Sequence, residues 1–167
     1  LPGVHPTGSY LIRGSGHNQY GGYTEREDEY LEVVDRLRRK FDTAATLVPK
    51  PVTEKFDHPD GAIVSLGSCD GAVRETRDRL AGEGIRLDYM RIRAFPFGEL
   101  VREFLNSYEI IFVVEQNRDG QLRSLLLTET DVNGDKLVPI LCYGGQPIST
   151  EDIIYSIAER IREEKVA

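Results

Sequence analysis

The sequence contains no tryptophan, one methionine and only two cysteines among its 167 residues. The cysteines, Cys69 and Cys142, stand far apart, and neither belongs to a Cys-x-x-Cys pair. This number and spacing exclude a zinc or iron–sulfur site built from these residues alone. A disulfide framework is excluded as well, so we expect free thiols and a cytoplasmic protein.

Long apolar runs and an excess of positive charge are also missing. No run approaches the roughly 20 residues that cross a bilayer, and no secretory leader pattern opens the chain, so we expect no membrane partner. The formal net charge of −7 argues against nucleic acid as a partner. The basic run at 36–40 follows Glu32 and Asp35, which is typical of a solvated helix face.

The first part of the chain differs in character from the rest. Residues 1–25 are rich in glycine and tyrosine and show no periodicity, which predicts an irregular arm. A helix is predicted over 28–41, with Leu31, Val34, Leu37 and Phe41 on one face. Because prolines follow at positions 49 and 51, we divide the chain into 1–51, an arm with a linker helix, and 52–167, a folded domain.

From residue 52 the sequence alternates between strand and helix patterns. Five strands are predicted, at 52–56, 62–66, 85–92, 110–114 and 137–142. Helices are predicted at 70–81, 100–108 and 120–127, and a last one begins after Ser149 or Thr150. The intervals are long enough for helical crossovers between parallel strands. The pattern therefore predicts an α/β fold, a three-layer αβα sandwich around a mostly parallel, five-stranded sheet.

In an open sheet of this kind, ligands and partners gather beyond the carboxyl ends of the strands. After the second predicted strand, Gly67 and Ser68 lead into a helix whose free N–H groups could hold an anion. A simple capped turn is the alternative, since the loop has neither a dinucleotide nor a Walker pattern. Cys69 lies at this helix start, where a thiol pKa can be lowered.

A second polar loop follows the most apolar strand. Glu115 ends that strand, and its carboxylate must be solvated, paired or hydrogen-bonded. Asn117, Gly120 and Gln121 then form a turn. This turn either caps the next helix or contacts a second subunit or domain, and the sequence leaves both interpretations open.

The arm carries an arginine and a histidine, Arg13 and His17, among closely spaced glycines and tyrosines. On composition alone it is either a disordered tail or a segment packed closely against another surface. Arginine and histidine in such a loop suit an anionic ligand.

Several motifs occur in the same order along nearly the whole chain as in one enzyme family. They are Arg13-Gly14-Ser15-Gly16-His17-Asn18-Gln19-Tyr20-Gly21-Gly22-Tyr23-Thr24, Gly67-Ser68, Phe95-Pro96-Phe97, Glu115-Gln116-Asn117-Arg118-Asp119-Gly120-Gln121-Leu122 and Gly144-Gly145-Gln146-Pro147. Together they resemble the α subunit of 2-oxoacid:ferredoxin oxidoreductases, particularly the 2-oxoglutarate type.

The resemblance implies a C-terminal, non-catalytic assembly domain like the C-terminal domain of transketolase. The segment 1–51 would then be the tail of the preceding domain that binds thiamine diphosphate. Family members decarboxylate a 2-oxoacid on thiamine diphosphate with Mg²⁺, pass electrons through an iron–sulfur cluster to ferredoxin, and form the acyl-CoA. The implied partners are the rest of the α subunit, the β subunit, ferredoxin and CoA, with no cofactor bound by this chain alone.

One motif departs from much of the family. Where many relatives have a Glu-His-Asp-Glu run, this chain has Gly16-His17-Asn18-Gln19. Neutral side chains repel a carboxylate less than acidic ones do, so we place Arg13, His17 and Asn18 near the substrate entrance as a hypothesis. The resemblance implies no catalytic residue and no metal ligand in this chain.

The loops at the carboxyl ends of the strands are instead expected to contact other polypeptides. The residues expected there are Gly67, Ser68, Glu115, Asn117, Gly120 and Gln121. Two alternatives stay open: a transketolase-like domain of another thiamine enzyme, and a stand-alone flavodoxin-like module. The second alternative requires a small ligand at the loop 67–71.

Overall fold

The computed structural model describes residues 3–6, 8–9 and 14–164, with side chains described as far as Ile161. The chain forms two compact units, Leu1–Leu47 and Val48–Ala167. The prediction for Arg13 lies outside the described residues.

The first unit contains one long helix, α1 (Glu27–Leu47). It extends beyond the predicted end at residue 41, and two threonine hydroxyls bond back to carbonyls within this last part. Thr43 Oγ1 donates to the Arg39 carbonyl at 2.9 Å, and Thr46 Oγ1 donates to the Thr43 carbonyl at 2.8 Å. Satisfying these hydroxyls inside the helix removes their competition for other backbone groups. The helix ends just before the prolines, which cannot continue it.

The second unit is built on one five-stranded sheet. Its strands are β1 (Val52–Glu54), β2 (Gly61–Leu66), β3 (Leu87–Ile92), β4 (Ile111–Glu115) and β5 (Leu137–Leu141). They lie in the order β1-β3-β2-β4-β5. Every pair is parallel except β1 with β3, which is antiparallel. The predicted mostly parallel sheet with a short edge strand is confirmed.

Four helices cover the two faces of this sheet. They are α2 (Asp70–Gly82), α3 (Glu99–Asn106), α4 (Gln121–Glu129) and α5 (Thr150–Glu164). One apolar cluster joins the sheet to α3 and α4, and it includes Phe104 and Leu126. A second cluster joins the opposite face to α2 and α5, and it includes Val73 and Ile153. The predicted three-layer sandwich is therefore confirmed.

Strand β4 shows why this sheet needs helices on both sides. Ile111 and Val113 belong to the first cluster, and Phe112 and Val114 belong to the second. All four side chains have no measurable exposure. Because successive side chains point to opposite faces, a strand that is apolar at every position must be covered twice.

Strand β5 forms one edge of the sheet and has a proline at its centre. Pro139 stands in register with Val113 of β4. The Cys142 N–H donates to the Glu115 carbonyl at 2.9 Å. Backbone groups alternate in direction along a strand, so Leu137, Pro139 and Leu141 point theirs away from β4. The Leu137 carbonyl accepts a hydrogen bond from Arg123 Nε at 2.7 Å.

A buried arginine ties α2 to the opposite edge. Arg77 is 5% exposed, and its guanidinium donates to the Leu87 carbonyl at 2.7 Å and to Glu54 of β1 at 2.6 Å. Arg74 also pairs with Glu54. The edge strand β1 is therefore held by charged hydrogen bonds as well as by its pairing with β3.

Candidate functional site

The carboxyl ends of β2, β4 and β5 meet at one edge of the sheet, as predicted for parallel strands. An open depression of about 550 Å³ lies there. Its lining is uncharged and combines amides, hydroxyl groups and a thiol with apolar side chains. The residues are Ser68, Ala72, Gln116, Cys142, Tyr143, Gly145, Gln146, Pro147 and Ile148.

Glu115 is buried at this edge and is fully engaged within the chain. It is 4% exposed, and its carboxylate accepts hydrogen bonds from the backbone N–H groups of Leu122 at 2.6 Å and Arg123 at 2.9 Å. Asn117 Nδ2 donates to the same carboxylate at 2.7 Å. These bonds satisfy N–H groups at the start of α4 that have no partner inside the helix. The geometry is that of a helix cap.

The turn between β4 and α4 follows from the same network. Asn117 Oδ1 accepts from the N–H groups of Asp119 and Gln121, both at 3.1 Å. Gly120 has φ of 60°, a left-handed conformation in which a side chain is strained. Four of the predicted edge residues, Glu115, Asn117, Gly120 and Gln121, are thus brought together.

The two remaining predicted edge residues lie in a 3₁₀ turn, Gly67–Cys69, between β2 and α2. Gly67 has φ of 70°, and Ser68 Oγ donates to Gln116 Oε1 at 2.9 Å. Gln116 therefore joins the first loop to the second. The sequence did not single out this residue. Strand order predicts that the two loops share an edge, but it does not show which of their side chains will bond to each other.

The first turn of α2 already holds a carboxylate. Asp70 accepts hydrogen bonds from the Tyr89 hydroxyl at 3.0 Å and from Arg74 Nε at 3.1 Å, and it pairs with Arg91. Burial alone would raise the pKa of Asp70. The hydrogen bonds from Tyr89 and Arg74 and the two arginine charges outweigh burial, so the pKa is lowered. A carboxylate held here disfavours a second anion at the start of α2, although the N-cap residue Cys69 makes no side-chain capping bond.

Cys69 does not have the activated thiol that its position at a helix start suggests. Its side chain is 2% exposed, and burial raises the pKa of the thiol, with smaller contributions from Glu115 and Cys142. The expectation of a lowered pKa is therefore wrong. Desolvation disfavours the thiolate more than the helix N-terminus favours it.

The described residues do not fit a metal ion or an iron–sulfur cluster. Within the part of the chain that the structure describes, no group of three or more His, Cys, Asp and Glu side chains converges on one point. The depression is lined by neutral groups, which suit hydrogen bonding to an uncharged surface rather than binding of Mg²⁺ or a diphosphate. We derive no catalytic step from this edge.

The predicted substrate-proximal residues lie in the first unit, where residues 17–23 form a tight turn. His17 and Tyr23 form a bridge, and Asn18 Oδ1 accepts from the N–H groups of Tyr20 and Gly22, both at 3.1 Å. His17 Nδ1 lies 2.8 Å from the Asn18 carbonyl. Since a carbonyl only accepts, Nδ1 carries the hydrogen of this bond.

The geometry of this turn favours glycine at position 21, which has φ of 78°, a left-handed conformation. Position 22 is tight, because a Cβ on Gly22 would lie 3.3 Å from the Asn18 side chain. Over residues 14–26 the arm forms bends, this turn and one isolated bridge, and no helix or strand, as an irregular segment does. Asn18 uses its side-chain oxygen to hold the turn, and His17 uses Nδ1 to bond the Asn18 carbonyl.

Comparison with known proteins gives a consistent set of relatives. No family model matches the sequence. The chain is 31% identical over 158 residues to the α subunit of 2-oxoacid:ferredoxin oxidoreductase 2 from Aeropyrum pernix. It is 29% identical over 155 residues to the α subunit of the 2-oxoacid:ferredoxin oxidoreductase from Saccharolobus solfataricus. These matches cover 92% and 89% of the chain, but only 24% of each relative.

Solved structures agree on the fold. One is a 2-oxoglutarate:ferredoxin oxidoreductase from Magnetococcus marinus with 2-oxoglutarate, coenzyme A and succinyl-CoA bound, which has a TM-score of 0.78 and 24% sequence identity to the chain. The match covers 96% of the chain and 28% of the Magnetococcus marinus chain. Another is a split-gene transketolase, an inactive β4 tetramer, with a TM-score of 0.50 and 17% sequence identity. That match covers 66% of the chain and 40% of the transketolase chain.

No described helix is long and apolar enough to cross a membrane. The order of motifs, the transketolase-like sheet and the two archaeal relatives agree with one another. The chain is homologous over about nine tenths of its length to the α subunits of 2-oxoacid:ferredoxin oxidoreductases, and it spans about a quarter of the length of the curated relatives that it matches.

Proposed function

We propose that this chain is the C-terminal, non-catalytic assembly domain of the α subunit of a 2-oxoacid:ferredoxin oxidoreductase. The observation that carries the proposal is the 31% identity to the Aeropyrum pernix α subunit over 92% of the chain. The whole enzyme would act in the cytoplasm and oxidatively decarboxylate a 2-oxoacid with thiamine diphosphate and Mg²⁺. It would form an acyl-CoA and pass electrons through an iron–sulfur cluster to ferredoxin.

Within this proposal, 2-oxoglutarate is the first substrate to test. The Magnetococcus marinus enzyme that shares the fold binds 2-oxoglutarate, coenzyme A and succinyl-CoA. The neutral run Gly16-His17-Asn18-Gln19 supports a dicarboxylic substrate, since it places no acidic side chain next to His17. In the same proposal, 1–51 is the tail of the preceding thiamine-binding domain.

We call the edge of the sheet at which β2, β4 and β5 end the carboxyl edge. Its geometry supports a role in assembly rather than in catalysis. The carboxylate of Glu115 is used to cap α4, and the lining of the depression is uncharged. Cys142 and Tyr143 are the titratable side chains in that lining, and no carboxylate or histidine joins them there to form an acid–base pair. The exposed edge residues, such as Ser68 and Gln121, instead offer hydrogen-bonding groups to a neighbouring polypeptide, which we propose is the β subunit or the rest of the α subunit.

The activity is tested with the complete α subunit produced together with its β subunit. Pyruvate, 2-oxoglutarate and a branched-chain 2-oxoacid are supplied in turn with CoA, and ferredoxin reduction is followed. We expect 2-oxoglutarate to give the highest kcat/KM and the 167-residue chain alone to give no turnover. Turnover by the chain alone would contradict the proposal. Tight binding of FMN, ATP or CoA by the chain alone would favour a ligand-binding module instead.

The assembly role is tested with two matched serine substitutions. Ser68→Arg places a large charge at the carboxyl edge, and Ser107→Arg places the same charge at the opposite edge, just before β4. Both serines are exposed, and each donates one side-chain hydrogen bond. We expect Ser68→Arg to weaken α–β association by about tenfold or more and Ser107→Arg to leave it unchanged. Equal effects of the two substitutions on α–β association would show that the carboxyl edge is not part of the interface.

The substrate-proximal role of Arg13, His17 and Asn18 stays a prediction. His17→Ala in the complete enzyme is expected to raise KM or lower kcat, because it removes an imidazole that we place near the substrate entrance. Asn18→Ala serves as a comparison, since it removes the oxygen that holds the turn. Unchanged kinetics in His17→Ala would exclude His17 from the substrate entrance.

A further inference from the structure

The first unit has almost no core among its described residues. Up to Leu47, Val33 is the only described residue that is buried. Large apolar side chains of α1 are instead exposed, among them Tyr30, Leu31, Val34 and Leu37, at 41% to 50%. Leu31, Val34 and Leu37 recur at intervals of three residues, and Tyr30 lies four residues before Val34. The four side chains therefore form one band along the helix, which we call the apolar stripe.

An exposed stripe of this kind is unusual for a stable isolated helix. Helices in proteins are stabilised largely by packing of their apolar face, because helix propensity alone gives an isolated helix only marginal stability in water. Charged residues occupy the side of α1 away from the stripe, including Glu32, Asp35, Arg36 and Arg39. The helix is therefore amphipathic in the way that predicts a partner on its apolar side.

The size of the stripe decides between two kinds of partner. Four large side chains, each about half exposed, leave roughly 300–400 Å² of apolar surface. A stable complex between separate molecules buries about 800 Å² on each side. The stripe alone is too small to hold a second copy of the chain, but it is sufficient for a partner tethered in the same polypeptide, whose effective concentration is high.

The comparisons identify a source for such a partner. The curated relatives are about four times as long as the matched segment, because the chain covers 24% of each. We infer that the apolar stripe of α1 packs against the remaining part of the α subunit and anchors this domain to it. This inference rests on the proposed function, since it requires that the chain is one part of that subunit.

Hydrogen exchange of α1 amides tests the inference in the full-length α subunit and in the 167-residue chain. We expect exchange in α1 to be about 100-fold slower in the full subunit, because a covered helix opens less often than an exposed one. In the full subunit, the double variant Leu31→Gln and Leu37→Gln should raise the exchange rate of the α1 amides by at least about tenfold. Glutamine is chosen because it keeps a high helix propensity.

The matched control is Arg36→Gln with Arg39→Gln, which changes the opposite side of the same helix and should leave exchange within about twofold. Equal exchange in the long and short chains would overturn the inference. Protection already present in the short chain would also overturn it. If that protection depends on protein concentration, a second copy covers the stripe; if it does not, the chain covers it by itself.

The two proposals fail in different ways. Protection of α1 without 2-oxoacid turnover would support the packing of the apolar stripe and contradict the proposed enzymatic function. Turnover by the full enzyme with freely exchanging α1 amides would support the enzymatic function and contradict the packing of the stripe. The exchange measurement does not depend on activity, so each result can be assigned to one proposal.

Discussion

Helices α1 and α2 have the same kind of amphipathic pattern and meet opposite surroundings. In α2, Val73 and Leu80 lie against the sheet with no measurable exposure. In α1, Leu31 and Leu37 are 48% and 43% exposed. The difference teaches that periodicity predicts which face of a helix will be covered, and only the rest of the fold determines whether the covering surface belongs to the same chain.

The largest test of this comparison truncates one leucine in each helix. Leu80→Ala should lower the free energy of unfolding by about 2–5 kcal/mol, because it removes buried methyl groups and leaves a cavity. Leu37→Ala should change it by less than about 0.5 kcal/mol in the 167-residue chain. Urea unfolding measures both. Similar losses at the two sites would mean that α1 is as well packed as α2.

A second test concerns the buried arginine of α2. Arg77→Met should destabilise the chain by about 1–3 kcal/mol, since Glu54 and the Leu87 carbonyl lose a charged donor. Arg79→Met on the same helix is the control, because Arg79 is 46% exposed and forms surface ion pairs. If both variants lose equal stability in thermal unfolding, the burial of Arg77 has no special role.

The start of α2 predicts a dependence on pH. The pKa of Asp70 is lowered in the folded chain, so its contribution is present above the unfolded value of about 3.9 and is lost as the pH falls through the folded value. Asp70→Asn should be less stable by about 1 kcal/mol at neutral pH, and the gap to the parent should close in acid. Urea midpoints across pH 2 to 7 check this; a constant gap contradicts it.

The smallest expected effect is a gain in stability. Thr76 has no exposure, and its hydroxyl has no hydrogen-bond partner among the described residues. Thr76→Val keeps the shape and removes the unsatisfied group, so we expect a gain of about 0.5–1 kcal/mol in thermal unfolding. Thr128→Val, at a hydroxyl that donates to the Ser124 carbonyl, should give no such gain.

Much of the fold could be predicted from local sequence. The apolar block from Ile110 to Val114 required cover on both faces, and the structure provides it for β4. The final helix was predicted to begin at Ser149 or Thr150, and Ser149 Oγ accepts the Asp152 N–H at 3.2 Å, as an N-cap does. Periodicity and capping are local properties, so they are visible in one sequence.

The errors arose where a contact outside the apolar pattern set the boundary of an element. Strand β2 begins at Gly61, one residue before the predicted start. Position 61 lies so close to Ile110 that a Cβ there would be 2.7 Å from the Ile110 side chain, and this neighbour, 49 positions away, cannot be recognised from the local sequence. Strand β3 begins at Leu87 rather than at residue 85, because the Ile85 N–H donates to the Leu80 carbonyl at the end of α2.

The sequence predicted where the candidate site lies, but it did not predict which hydrogen bonds its side chains form. The carboxyl-edge loops follow from strand order, and Gly120 with its positive φ follows from a tight turn. The direction of the Glu115 carboxylate does not, since a strand-end acid can face solvent, a partner or the next helix with the same sequence. Its capping role became visible only with the coordinates of α4.

Pro139 has a consequence for how this protein behaves at high concentration. A free strand edge is a template on which further chains can add, and unchecked addition leads to fibrous aggregates. A strand that arrives at β5 finds no N–H at its centre and finds the Leu137 carbonyl already bound by Arg123. The sheet therefore ends at β5 by the chemistry of its own residues.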